Sequence, residues 1–170
     1  MGPQVHGRLT VVRPATDDDA DRLVAWHADP EVARFWDGKA FTRDELLARL
    51  RRERVDAWIV EAGGEPVGYL QSWWDEDEPR RGGLDGFLVP EARGRGLMPD
   101  AAHSLAQSLL DSGWQYVTVD PYAWNEQALR GWAKAGFVEV SRHPADDEHA
   151  HEWVLMRFEP GSAQPNQVRE

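Results

Sequence analysis

One junction constrains the fold of this chain more than any other. At 90–110 the sequence reads PEARGRGLMPDAAHSLAQSLL. The apolar run LDGFLV at 84–89 precedes it and reads as a strand. After it, Ala101, Ala102, Leu105, Ala106, Leu109 and Leu110 recur at helical spacing, which predicts a helix from about Met98 to Ser112, stopped by Gly113. Strand, glycine turn and amphipathic helix in that order require a sheet with a helix packed across it. The turn carries Arg93, Gly94, Arg95 and Gly96. Glycines leave backbone N–H groups uncovered, and a helix N-terminus adds partial positive charge. Pro99 suits the first helical position, which makes Met98 the N-cap, and methionine accepts no capping hydrogen bond. Spacing alone leaves two outcomes open. The turn holds a phosphate-like anion with help from Arg93 and Arg95, or it is a plain glycine-rich loop whose helix dipole is met by Asp100.

The rest of the chain supplies the sheet. RLTVVRPA (8–15) reads as a first strand. Thr16 opens a helix carrying Leu23, Val24, Trp26 and His27, and Pro30 restarts a second short one through Val32, Phe35 and Trp36. Residues 42–54 predict a helix with Leu46, Leu47 and Leu50 on one stripe. Residues 56–74 predict a hairpin turning at Gly63–Gly64. Residues 75–83 read as a polar loop. A strand at 114–120 ends at Pro121, Asn125 caps a helix that stops at Gly136, and 137–142 and 151–158 read as the last strands. The expected organisation is one mixed α/β domain over residues 1–158, followed by a disordered Pro/Gly/polar tail at 159–170.

Charge and composition narrow the partners. Thirty acidic residues against nineteen basic ones give a formal net charge of −11. That balance argues against nucleic acid and favours a cationic small molecule or simply a solvated surface. Cysteine is absent, which removes disulfides, thiol nucleophiles and thiolate metal sites. No apolar run reaches membrane-spanning length, so a cytoplasmic protein is expected, as a monomer or homodimer. Glu148, His149 and His151 are close in sequence, but in a polar loop they read as surface residues, and no metal is predicted.

Several residues could carry chemistry. Asp85 sits in an otherwise apolar strand, where a carboxylate is costly unless paired or facing a cleft. Asp75, Glu76, Asp77 and Glu78 follow Trp73 and Trp74 directly. A solvated loop is the plain reading of such a run. A loop placed next to the Asp85 strand, with aromatics that stack on sugars or cations, is the functional one. Asp120 and Tyr122 end the neighbouring strand, and Trp36 is either core or pocket wall.

Two motifs point to a family. RGRGLM at 93–98, between strand and helix, resembles the coenzyme A loop of the GNAT superfamily of N-acetyltransferases, with Met98 where Gly or Ala is usual. NEQALRGWAKAGF at 125–137 resembles that family's second element, with Trp132 in place of Tyr. The resemblance implies a single GNAT-type domain, with a mostly antiparallel twisted sheet flanked by helices and splayed at a wedge for acetyl-CoA. It implies that Arg93, Gly94, Arg95, Gly96, Leu97 and Met98 hold the pyrophosphate. It implies that the backbone of Phe87, Leu88 and Val89 holds the pantetheine arm, and that Asn125 and Trp132 also contact the coenzyme. Asp85 becomes the base that takes a proton from the acceptor amine. Within the superfamily the sequence is most similar to the aminoglycoside 6′-N-acetyltransferases. On their position beside the Asp85 strand and on the same expected rim, Trp36, Trp73, Trp74, Asp75, Glu76, Asp77, Glu78, Asp120 and Tyr122 are the candidates for holding a cationic acceptor. Direct attack of the amine on acetyl-CoA is the implied chemistry. The alternatives are acylation of a siderophore precursor or a protein amine, and a non-catalytic acyl-CoA-binding module, for which the Met98 and Trp132 departures speak.

Overall fold

Eight strands share one sheet, in the order β1-β2-β3-β4-β5-β6-β8-β7, in a computed structural model that describes residues 2–36 and 39–162, with Glu76 described by its backbone only. The strands are β1 (Val5–His6), β2 (Val11–Pro14), β3 (Val55–Ala62), β4 (Glu65–Asp77), β5 (Arg80–Leu88), β6 (Tyr116–Val119), β7 (Phe137–His143) and β8 (Trp153–Phe158). The helices are α1 (Ala20–Ala28), α2 (Pro30–Ala33), α3 (Arg43–Leu50), α4 (Leu97–Asp111) and α5 (Glu126–Ala135). All pairings are antiparallel except β5 with β6. Pro160–Ser162 form a short 3₁₀ turn, and the rest of the expected tail lies outside the described residues.

Period-two alternation along β4 and β5 divides the sheet into two faces. Leu70, Trp74, Leu84 and Leu88 join the larger core with Leu97, Ala101, Ala102, Leu105 and Leu109 of α4. Tyr69 and Phe87 point the other way, into a second cluster with Leu23 of α1, Val32 of α2 and Leu46 of α3. Each fully buried leucine in these layers contributes about 1.5–3 kcal/mol through area removed from water.

The strand expected at 8–15 is shortened to β2, and β1 precedes it outside the expected range. β1 and β2 flank a turn whose amides are held by a remote carboxylate, because Asp100 accepts from Arg8 N, Leu9 N, Thr10 N and Thr10 Oγ1 at 2.7–3.0 Å. Asp100 therefore serves the far end of the sheet as well as the first turn of α4. The cap of α4 also differs from expectation. Gly96, not Met98, is the N-cap, and it adopts a left-handed φ of 73° that only glycine takes without strain. Pro99 is the third helical residue, within the first turn, where its missing N–H costs nothing.

The expected loop at 75–83 is instead the end of a long hairpin. The β4–β5 ladder continues past Trp74 through Glu76↔Arg81 and Asp77↔Arg80, with a bulge between Trp74 and Glu76. The opposite charges of Asp77 and Arg80 at facing positions favour this extension. The ladder on the other side of β5 is short. β6 pairs with β5 only at Arg81↔Tyr116, Gly82↔Val117 and Gly83↔Thr118. Beyond Gly83 the two parallel strands separate, and β6 gives way to a segment running along β8, with Val154 N donating to Pro121 O and Ala123 N to Glu152 O. Residues 84–88 of β5 keep β4 on one edge and lose their strand partner on the other.

Candidate active site

A cavity of about 600 Å³ opens in that split, a volume that suits a small molecule. Leu84, Asp85 and Gly86 line it from β5, and Val119, Asp120, Pro121 and Tyr122 from the end of β6. Gln71 and Trp73 reach it from β4, Arg49 from α3, Arg52 from the turn that follows, Asn125, Ala128 and Trp132 from α5 and its N-cap, and Glu148 and His149 from the loop before β8. Phe35 and Trp36 close it from the end of α2.

Asp85 is partly buried and faces this cavity beside Gln71, its register partner on β4. Gln71 Nε2 donates to Asp85 Oδ2 at 3.2 Å, and Gln71 Oε1 accepts from Tyr69 Oη at 3.0 Å and from Arg52 Nη2 at 3.3 Å. Burial pushes the Tyr69 hydroxyl up to about 12, so it stays a donor. Burial and the nearby Arg52 charge pull Arg49 below the usual guanidinium range, while Tyr69 and Asp85 oppose that pull. Among the described residues, Arg49 Nε is buried without a hydrogen-bond partner. The Gln71 amide orients the carboxylate, and the nearby arginine charge favours its ionised form.

Asp120 stands across the cavity and is not a lone anion. His149 Nε2 lies 2.7 Å from Asp120 Oδ2, and His149 Nδ1 lies 2.9 Å from Asp146 Oδ1. Burial pulls the His149 pKa down, but the two carboxylates outweigh it, and the net shift is upward. Tyr122 stacks on Trp124, and its hydroxyl accepts from Ala150 N at 3.3 Å. Asn125 spends its side-chain oxygen on capping α5, accepting from Ala128 N at 3.1 Å. Trp132 lines the cavity and packs edge-on against Phe137, with ring centroids 5.4 Å apart.

The cavity thus brings together Asp85, Trp36, Trp73, Asp120, Tyr122, Asn125 and Trp132 from the residues singled out in the sequence. It does not bring in the acidic run. Trp74 faces the opposite side of the sheet, edge-on to Trp114 at 5.9 Å, because it alternates with Trp73. Asp75 and Asp77 lie out along the hairpin, where Arg54 donates to Asp75 O at 2.6 Å and to Asp77 Oδ2 at 2.9 Å. Glu78 is exposed at the hairpin tip, and the side chain of Glu76 lies outside the described residues. Arg80 stacks over Trp74 at 4.2 Å and adds further positive charge there. The acids missed the cavity because the strands did not stop where the acids began.

The glycine turn lies beside the cavity. Gly94 and Gly96 take φ of 79° and 73°, which turns the chain into α4 and leaves the amides of Leu97 and Met98 at a helix N-terminus. A side chain at Gly94 would meet open space, so its requirement is conformational. Arg93 is tied down, with Nη2 donating to Glu31 O at 2.8 Å and its guanidinium over Phe35. Arg95 is exposed. Phe87 is buried against Trp36 and Tyr69, so only its backbone can serve a ligand. Leu88 is likewise buried, and Val89 N donates to Val67 O at 2.9 Å.

The acetyltransferase (GNAT) domain family matches residues 15–144. The chain belongs to the GNAT acetyltransferase family. It is an acetyl-CoA-dependent N-acetyltransferase, and the open edge of β5 next to a glycine-built helix N-terminus suits that substrate. An aminoglycoside N(6′)-acetyltransferase type 1 from Klebsiella pneumoniae is 29% identical over 145 residues, covering 74% of this chain and 72% of that protein. The fold matches AAC(6′)-Ib solved with paromomycin and acetyl-CoA at a TM-score of 0.77 and 23% identity, covering 95% of this chain and 99% of the other. It also matches a spermidine N-acetyltransferase from Vibrio cholerae, solved with coenzyme A and spermine, at a TM-score of 0.78 and 13% identity, covering 91% and 97%.

Arg49, Arg52, Gln71 and His149 are site residues that sequence reasoning did not assign. Gln71 carried a usable signal, since it alternates with Tyr69 and Trp73 and so shares their face. Arg49 lies one helical turn beyond Leu46, on the docking stripe of α3, where an arginine needs a reason. His149 stood in the sequence only as an unconvincing metal ligand. Among the described residues, no group of three or more His, Cys, Asp or Glu is placed to hold a metal, and no helix is long and apolar enough to cross a membrane.

Proposed function

We propose that residues 1–158 form a cytoplasmic enzyme, monomeric or homodimeric, that acetylates the 6′-amine of an aminoglycoside. The observation that carries this reading is the position of Asp85, on the strand edge left open by β6 and at the head of a cavity also lined by Trp36, Trp73, Asp120 and Tyr122. Asp85 attracts the ammonium and takes one of its protons, directly or through water. The freed nitrogen attacks the thioester carbonyl, whose oxygen receives hydrogen bonds from backbone N–H groups at 84–89. The C–S bond then breaks, coenzyme A leaves as thiolate, and the second amine proton is released as the amide forms. The aminoglycoside activity of the 29% identical relative supports this acceptor. The glycine turn, with Arg95 and the Leu97 and Met98 amides, would hold the pyrophosphate, and Trp132 and Asn125 would border the pantetheine end.

One observation favours a second reading. Arg49 and Arg52 line the same cavity as the acids, which suits a zwitterionic amine such as a diamino acid better than a pure polycation. A panel of acceptors incubated with acetyl-CoA, with released thiol measured, separates the two. Thiol release with a 6′-amino aminoglycoside, absent with the matched 6′-hydroxyl sugar, supports the first reading. Turnover confined to diamino acids replaces it with the second.

A further inference from the structure

We propose that His149 is a positioning residue of the acceptor pocket. As an imidazolium clamped between Asp120 and Asp146, it fixes both the Asp120 carboxylate and the loop at 144–152 that walls the cavity.

The geometry requires a specific protonation state. Both ring nitrogens lie within 2.9 Å of a carboxylate oxygen. A neutral imidazole carries one N–H and can donate to only one of them; its other nitrogen would set a lone pair against an anion. Only the imidazolium donates to both. The ring also lies flat on Trp153, with centroids 4.2 Å apart and planes 13° apart, an arrangement that favours a cation over an indole face. His143 covers the opposite face of Trp153 at 4.4 Å, and Trp153 Nε1 donates to Asp146 Oδ2 at 3.0 Å. Asp146 Oδ1 further accepts from Glu148 N and His149 N at 2.9 and 2.8 Å. The loop is therefore folded around Asp146, and among the described residues its one side-chain tie to the Asp120 carboxylate is the His149 imidazole, beside the backbone bonds Ala150 N to Tyr122 Oη and Ala123 N to Glu152 O. The His149 side chain is 12% exposed, so solvent screens the latch only partly.

The charged and titratable groups around His149 come from every neighbouring element. Asp120 and Tyr122 face it from the end of β6, Asp146, Glu148 and His151 from its own loop, and His143 of β7 lies beyond Trp153. Asp85, Arg49 and Arg52 lie across the cavity. The carboxylates dominate, and the net shift of His149 is upward. At neutral pH the latch is closed and Asp120 presents a fixed, half-compensated carboxylate to the acceptor. As pH rises through the His149 pKa, the imidazole drops one of its two partners and the loop is released from Asp120.

This proposal rests on the acceptor assignment above, but its first test needs no acceptor. Histidine ring nitrogens of the uniformly labelled full chain, titrated by NMR, should show His149 doubly protonated at neutral pH, with a midpoint above that of an ordinary histidine. Amides of residues 144–152 should exchange faster across the same midpoint. The Asp146→Asn variant, altered outside the cavity wall, should return the midpoint toward the ordinary value. A His149 that is a single tautomer at pH 7, or whose titration ignores Asp146→Asn, overturns the proposal whatever the substrate proves to be. In turnover, Asp146→Asn and His149→Gln should each raise KM for the amine by about fivefold or more while leaving KM for acetyl-CoA unchanged. In Asp146→Asn, the alkaline limb of kcat/KM for the amine should move to lower pH. Equal effects on both substrates would mark a structural role instead and sink the positioning claim. Absence of turnover with every amine would refute the proposed function, leaving the NMR result to decide the latch.

Discussion

Asp85 accepts a bond from the neutral Gln71 amide and shares its cavity with Arg49 and Arg52 rather than lying in a purely acidic field. The role proposed for it is proton transfer more than bulk attraction of a polycation. Asp85→Asn keeps the shape and the bond to Gln71 while removing basicity, so kcat/KM for the amine should fall about 100-fold or more, with thermal unfolding unchanged. Near-normal turnover would reduce Asp85 to a strand residue. Trp132 poses the opposite case. Its indole N–H does not titrate in a useful range, and the ring borders the cavity while packing on Phe137. Trp132→Phe should keep kcat within about fivefold, a barrier change under ~1 kcal/mol. A stable variant slowed 100-fold would show that the indole donates to sulfur. Tyr122 lines the same cavity with its hydroxyl accepting from Ala150 N.

The glycine turn assigns different work to its two arginines. Arg93 joins the turn to α2 through the Glu31 carbonyl and lies over Phe35, whereas Arg95 is exposed. Arg95→Ala should raise KM for acetyl-CoA and leave the melting temperature alone. Arg93→Ala should raise the same KM and also lower the melting temperature. A charge-assisted bond is worth about 1.5–3 kcal/mol at most, and less where water screens it. Calorimetry of coenzyme A binding that finds neither variant weakened would remove the turn from the pyrophosphate site. Such elements were legible in the sequence to the degree that local chemistry defined them. The Asn125 cap and Gly136 stop bound α5 at 126–135 because both signals sit in the helix's own residues. Gly63–Gly64 announced the β3–β4 turn for the same reason. The β4–β5 extension was not legible, because Asp75–Glu78 look like loop until Arg80 and Arg81 pair opposite and Arg54 arrives from a distant turn. The cavity's Arg49, Gln71 and His149 depended on docking between elements far apart in the chain, which no local spacing encodes.

At the scale of the molecule, the smaller core responds to acid through one buried histidine, and it backs the cavity wall at Trp36. His27 of α1 is 1% exposed within that cluster, edge-on to Phe41 at 4.9 Å and Phe87 at 5.2 Å, with Trp36 and Tyr69 about 6 Å away. Among the described residues its Nδ1 has no hydrogen-bond partner. Burial, helped by the Arg49 charge, lowers its pKa to about 4. The unfolded chain binds that proton near pH 6.5, so the unfolded state gains protons first as pH falls. Stability from a neutral His27 is complete above pH 6.5, declines between 6.5 and about 4, and is gone below that, a loss of about 3 kcal/mol at most. Asp19, held below the usual carboxylate range because Arg13 and the Thr16 N–H outweigh burial, loses its contribution only at lower pH. The two windows are therefore separable. His27→Phe preserves an aromatic ring in the box and removes the titration. Its melting temperature should stay nearly flat from pH 7 to 5 while the parent protein's falls. Parallel melting curves for the two proteins across that interval would show that His27 finds a proton or a partner that the fold conceals.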